Sequence, residues 1–215
     1  MNELYDLLLY IGSFSYYIPL TFVLILLLKN NKYSTYEYLL FLYIIYNGVI
    51  IFVEQFILDG KINNFNPLQN IVTIIDFFTI IAIFSKILQD SSRKILNVLK
   101  YILVVYFLVC LIELLFVNNL YSINLYSNNL SKALIIIIAG ITIYFSEITT
   151  EITSSQKIFT YTVFMYSILT LPIALSEQFI RLETSNYFYI TWSLNIIFAI
   201  FYNLFLTLSL WKLKK

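Results

Sequence analysis

Seven stretches of this chain are apolar almost without interruption, and polar breaks separate them. They run Leu4–Leu28, Tyr38–Leu58, Leu68–Leu88, Ile95–Val117, Lys132–Ile148, Ile158–Ile180 and Tyr187–Trp211. Each is close to the roughly 20 residues that carry an α-helix across a bilayer. In hydrocarbon every backbone N–H and C=O needs an internal partner, so only helices and closed barrels cross it. Barrel strands alternate in hydrophobicity over about ten residues, whereas these runs are continuous. The pattern predicts an all-α integral membrane protein: a seven-transmembrane-helix bundle forming one domain over residues 1–215, with no soluble domain beside it. The first run is too long for a signal-peptide core and is flanked by Glu3 and Asp6 rather than basic residues. Pro19 and Pro172 lie inside runs and are expected to kink their helices, because proline leaves the i−4 carbonyl unpaired.

Lysine and arginine in the breaks set the expected orientation. Lys29, Lys32, Lys86, Arg93, Lys94, Lys100, Lys157, Lys212, Lys214 and Lys215 collect on one side. Lys61, Lys132 and Arg181 collect on the other. This bias predicts a cytoplasmic C-terminus and an N-terminus outside. With no organelle signal to redirect the chain, the cytoplasmic (plasma) membrane is the expected location.

Orientation turns sequence position into depth. Glu54, Glu113 and Glu177 come late in outward-running spans, so they fall in the outer part of the bilayer. Asp76 and Asn195 are each the ninth residue of an inward-running span, between the outer surface and the midplane. Gln55 and Gln178 join the same outer zone. An aspartate at a helix centre costs roughly 2.5–3.5 kcal/mol to insert. It is therefore expected to face the bundle interior, a partner or water. Asp76, Asn195, Glu54, Glu113, Glu177, Gln55 and Gln178 are the candidate ligand-binding residues, converging on an outward-opening acidic pocket. Such a pocket suits a small cationic ligand. The inner half offers little beyond Lys100 and Glu147.

Two sequence echoes suggest an internal repeat. Val53–Leu58 reads VEQFIL and Ser176–Leu182 reads SEQFIRL, at the same depth in spans two and six. Spans one and five share Gly12/Gly140 and Tyr16/Tyr144, and spans three and seven share Ala-Ile-Phe at Ala82–Phe84 and Ala199–Phe201. That layout is a three-plus-one-plus-three parallel repeat and resembles the architecture of SWEET-type carriers. The chain lacks the Pro-Gln pair those carriers usually have in spans one and five.

Composition narrows the chemistry further. Hydrophobic residues make up 60% and charged residues 12% of the 215, with mean hydropathy +0.85, against about 25% charged in soluble domains. The net charge of +1 predicts no nucleic-acid partner. There is no histidine, and the lone Cys110 sits in an apolar run and reads as a small buried hydrophobe. No cofactor, no metal and no enzymatic activity are therefore expected: zinc and haem sites want histidine, and an aspartyl dyad wants a second intramembrane aspartate. Two functions remain. The first is a heptahelical receptor or sensor, because the polar groups are one-sided. It would signal through a separate cytoplasmic or membrane partner. The second is a small-solute or proton-coupled transporter built on the repeat.

The orientation is testable with single cysteines in a Cys110→Ser background. A cysteine at Asn63 is expected to react with a membrane-impermeant maleimide in intact cells. One at Lys157 is expected to react only after permeabilisation, and the reverse pattern would invert the topology.

Overall fold

A computed structural model describes residues 2–29, 32–53, 66–89, 93–117, 125–148, 152–180 and 185–213. Among them every regular element is helical, and seven helical segments are long and apolar enough to cross a membrane. Helices α1 (Asn2–Ser15) and α2 (Tyr17–Leu28) together form the first span, and α3 (Thr35–Phe52) the second. The others are α4 (Asn66–Ile87), α5 (Arg93–Ile112), α6 (Leu125–Ile148), α7 (Ser154–Ile180) and α8 (Ser185–Lys212). Seven crossings place the termini on opposite faces of the bundle, called here the N-face and the C-face.

The first span breaks at Tyr16, whose N–H bonds back to the Ser13 carbonyl instead of continuing the regular ladder. The cause lies three residues on. Pro19 has no N–H for the Ser15 carbonyl, and its ring crowds that carbonyl. Pro172 behaves differently, because α7 runs through it unbroken.

Two helices on the C-face start on reciprocal caps. Ser34 Oγ accepts from the Glu37 N–H at 3.3 Å, while the Ser34 N–H donates to Glu37 Oε2 at 2.5 Å. Before α7, Thr153 Oγ1 accepts from the Gln156 N–H at 3.3 Å and the Thr153 N–H donates to Gln156 Oε1 at 2.8 Å. Each box satisfies donors that a helix start leaves unpaired. These caps begin both helices about a turn earlier than hydropathy alone suggests.

Six spans close into a ring. The α1/α2 span packs on α3, α3 on α4, α4 on α6, α6 on α7, α7 on α8, and α8 returns to α1 and α2. The remaining span, α5, packs against α4 and α6. It stands outside the ring, with Val98, Tyr101, Val104, Phe107 and Leu108 exposed as a lipid-facing surface. At its C-terminal end the helix widens into a π turn, Glu113–Val117. Inside the ring, hydroxyls are satisfied locally: Thr142, Thr160, Thr162 and Thr170 each donate to the carbonyl four residues back. That lets polar side chains sit within the bundle without stranding a donor.

The contact between α1 and α8 that closes the ring is tight. A Cβ on Gly12 would meet Ile196 Cγ2 at 2.5 Å, and that methyl belongs to a β-branched side chain with little freedom to move. At Gly140 on α6 the nearest atom to such a Cβ is Phe164 Cε2 at 3.7 Å, an ordinary contact. The two glycines therefore differ in packing. Gly12→Ala is expected to destabilise the protein by about 1–3 kcal/mol. Gly140→Ala is expected to be neutral or to stabilise by about 0.5–1 kcal/mol through better helix propensity. Thermal unfolding in detergent would read both, and equal responses would show that the α1–α8 seam is not the close approach described.

Candidate functional site

Within the ring lies a cavity of about 210 Å³. Its lining draws on five helices: Tyr43 from α3, Thr73 and Asp76 from α4, Asn128, Ser131 and Lys132 from α6, Tyr166, Ser167 and Thr170 from α7, and Tyr202 from α8. Phe77, Ile80, Ile135 and Val163 supply its apolar part. Asp76 is thus turned into the bundle, as the insertion cost of a carboxylate demands. Its Oδ1 is shut off from solvent and has no hydrogen-bond partner among the described residues. The Asn47 side chain is its hydrogen-bonding neighbour, and Asn47 is itself anchored by Nδ2 donating to the Tyr43 carbonyl at 3.0 Å. Tyr43, Tyr166 and Tyr202 all lie within electrostatic range of the carboxyl group.

The three tyrosines form the floor of the site. The Tyr43 and Tyr202 hydroxyls share a hydrogen bond of 2.8 Å. The Tyr166 and Tyr202 rings lie 4.5 Å apart at 36°. Behind Tyr43 and Tyr202 is a void of about 10 Å³ that Tyr16, Asn47 and Asn203 also line. That is the size of a single water, though Pro19, Ile44 and Leu206 make its surface chiefly apolar. Buried Asn203 donates from Nδ2 to Ser15 Oγ at 2.9 Å. The polar layer therefore reaches the break between α1 and α2.

A second polar group lies toward the C-face. Tyr36 Oη is 3.4 Å from Ser155 Oγ, which is 3.1 Å from Ser209 Oγ. Ser209 also donates to the Ser155 carbonyl at 2.9 Å. This group backs a recess of about 450 Å³ lined by Ser34, Glu37, Thr153, Gln156 and Lys212, among others. Between recess and cavity lies an apolar layer. Phe159 packs against Phe84 at 5.9 Å and against Tyr36 at 6.4 Å, and both phenylalanines are fully buried. Along α7, Ser155 and Tyr166 are eleven residues apart, about 16 Å at 1.5 Å per residue.

The expected site residues are distributed unequally. Asp76 lines the cavity. Asn195 does not; it is half-buried on α8, two turns before Tyr202, which is that helix's contribution. Glu113 is buried and caps α6: Oε1 accepts from the Tyr126 N–H at 3.0 Å and Oε2 from the Ser127 N–H at 2.8 Å. The π turn carries it to that position. Glu54 and Gln55 lie outside the described residues, as do the side chains of Glu177 and Gln178 near the end of α7.

Sequence reasoning missed the tyrosines, Lys132 and the C-face hydroxyls. Tyrosines usually mark membrane interfaces, but Tyr43, Tyr166 and Tyr202 fall near the middle of their spans. Mid-span position was the available signal. Lys132 looks terminal when its span is begun at residue 132; α6 begins at Leu125, two turns earlier, so the lysine projects from within the helix. A positive charge therefore shares the wall with Asp76.

No protein-family model, curated protein or solved structure matches this chain. Its fold and site define a multi-pass membrane protein, a seven-helix bundle with a polar cavity inside.

Glu113→Ala removes both charge-assisted bonds at the start of α6 and is expected to lower stability by about 2–4 kcal/mol. Amide exchange at Tyr126 and Ser127 should accelerate with it. Unchanged exchange there would remove the capping role.

Proposed function

We propose that the chain is a small-solute carrier of three-plus-one-plus-three architecture whose central cavity binds a solute bearing one ammonium group. The observation that carries this reading is the pair of polar compartments on opposite faces, separated by the Phe84–Phe159 layer. A receptor pocket needs polar groups on one side only. The Tyr36–Ser155–Ser209 group supplies the other side.

Ring order favours the repeat. Spans one, two and three occupy consecutive places, spans five, six and seven the next three, and span four lies outside as a connector. The two halves meet in matching ways, α4 on α6 and α8 on α1/α2. Tyr43 stands eleven residues before Glu54, and Tyr166 stands eleven before Glu177. The Glu-Gln echo thus puts the two cavity tyrosines in equivalent register. Spans two and six both begin on a capping box.

The basic residues put the C-face in the cytoplasm, with the cavity nearer the outside. Asp76 is the anchor for the ammonium group: it lines the cavity, and its Oδ1 is a buried acceptor without a hydrogen-bond partner among the described residues. The hydroxyls of Thr170, Ser167 and Ser131 surround the rest of the solute. Lys132 opposes a second positive charge. Movement at the aromatic layer would transfer access from cavity to recess. With neither histidine nor a second central carboxylate, the chain acts by binding and transfer, not catalysis.

Methylammonium counterflow in proteoliposomes tests this. Asp76→Asn should cut the rate about tenfold or more, the worth of a lost charge-assisted hydrogen bond. Binding that depends on Asp76 without any counterflow would return the chain to the receptor class.

A further inference from the structure

The lipid-facing side of the ring carries a groove of about 480 Å³ between α7 and α8. Met165, Leu169, Phe198, Phe201 and Phe205 line it, and Met165 and Phe201 are 52% and 55% exposed toward the lipid. Its back wall is Tyr166 and Tyr202. The same two residues wall the Asp76 cavity. One stacked tyrosine pair, with ring centroids 4.5 Å apart, therefore divides an apolar groove open to lipid from a polar cavity holding a carboxylate.

The two spaces differ in chemistry and complement one another. The groove is almost wholly apolar and aromatic, and its one aliphatic hydroxyl, Thr162, is bonded to the Ile158 carbonyl. The cavity offers a carboxylate and hydroxyls. The groove by itself exceeds the lower bound of about 300 Å³ for small-molecule sites, and the cavity of about 210 Å³ is of a size for a head group alone. Along α7 the groove extends from Ile158 to Leu169, eleven residues or about 16 Å. That is the length of a single alkyl chain, not of a folded peptide.

We infer that the solute is an amphiphile: a single-chain alkylammonium whose tail lies in the α7–α8 groove and whose head passes between Tyr166 and Tyr202 to Asp76. This rests on the cavity being the binding site, and it adds the substrate class and the route of entry. A tail in the groove exchanges lipid contacts for closer packing against Met165, Phe198 and Phe201. Entry from the bilayer also explains why a carboxylate is walled on its lipid side by two rings rather than by a full aliphatic layer.

The test compares methylammonium with decylammonium. Both are radiolabelled, their affinities are measured on the full chain in nanodiscs, and decylammonium is corrected for its bilayer concentration. The quantity read is the ratio of the two affinities. In the wild type decylammonium should bind about threefold tighter or more, from its packing in the groove. Met165→Trp, which fills the groove from the lipid side, should bring the ratio close to one. Leu169→Trp provides a second plug should the first variant melt early. Val104→Trp, on the lipid face of α5, should keep the wild-type ratio. A ratio unchanged by both plugs would mean the groove holds bilayer chains only and overturns the inference, while the cavity reading stands. Loss of neither ligand in Asp76→Asn overturns both. Absence of counterflow with the ratio behaving as stated removes carriage and leaves the amphiphile site.

Discussion

The rest of the structure answers to one carboxyl group placed in hydrocarbon. Asp76 sits inside an apolar run, and water cannot reach its Oδ1. A charge or polar group in that setting is tolerated only when the surrounding helices face it with hydrogen-bonding groups. The closed ring does this. Helices α3, α4, α6, α7 and α8 each turn polar side chains inward at the level of Asp76, while their outer faces stay greasy. An open array would expose the same residue to lipid. The span that contributes nothing to the enclosure, α5, is the one left outside.

Local devices set how the helices present their side chains. Pro19 forces the interruption at Tyr16, and the Ser15 hydroxyl next to that break receives Asn203 from α8. The seam between the first and last spans is thus held by a polar contact where the helix is irregular. At the other end of the ring, the π turn after α5 carries Glu113 onto the first N–H groups of α6. With its donors satisfied, α6 extends two turns toward the N-face beyond its most apolar part. Those two turns bring Asn128, Ser131 and Lys132 to the cavity wall. A carboxylate that looks like part of a ligand site in sequence is therefore a structural cap that helps build one.

Tyrosine does most of the work of dividing the interior. Its ring seals, its hydroxyl bonds, and it has no charge to bury. Tyr43 and Tyr202 join α3 to α8 through a hydroxyl pair, and Tyr166 stacks on the second of them. Tyr36 closes the C-face group in the same way, with its hydroxyl toward Ser155 and its ring against Phe159. Two partitions follow, cavity from lipid groove and cavity from the water-sized void at the α1–α2 break, while the Phe84–Phe159 layer parts cavity from recess.

Much of this protein was determined by hydropathy. A bilayer imposes a minimum apolar length and forbids unpaired backbone, so seven long runs could only be seven helices. The break near Pro19 and the inward turn of Asp76 follow from the same rules, because proline lacks a donor and carboxylates avoid lipid. The helix starts were also legible in Ser34–Glu37 and Thr153–Gln156, though only to a reader looking for reciprocal caps rather than polar breaks. What hydropathy cannot supply is which polar residues meet. Asp76 and Asn195 share a depth, yet rotation about the helix axis decides facing, and only tertiary packing fixes that rotation. It put Tyr202 at the wall in place of Asn195 and brought Lys132 to the cavity that Asp76 also lines. It also drew serines and tyrosines of four spans into polar groups on both faces. Those residues carry no charge, so the sequence alone does not distinguish a buried hydroxyl from one that simply returns its bond to its own helix.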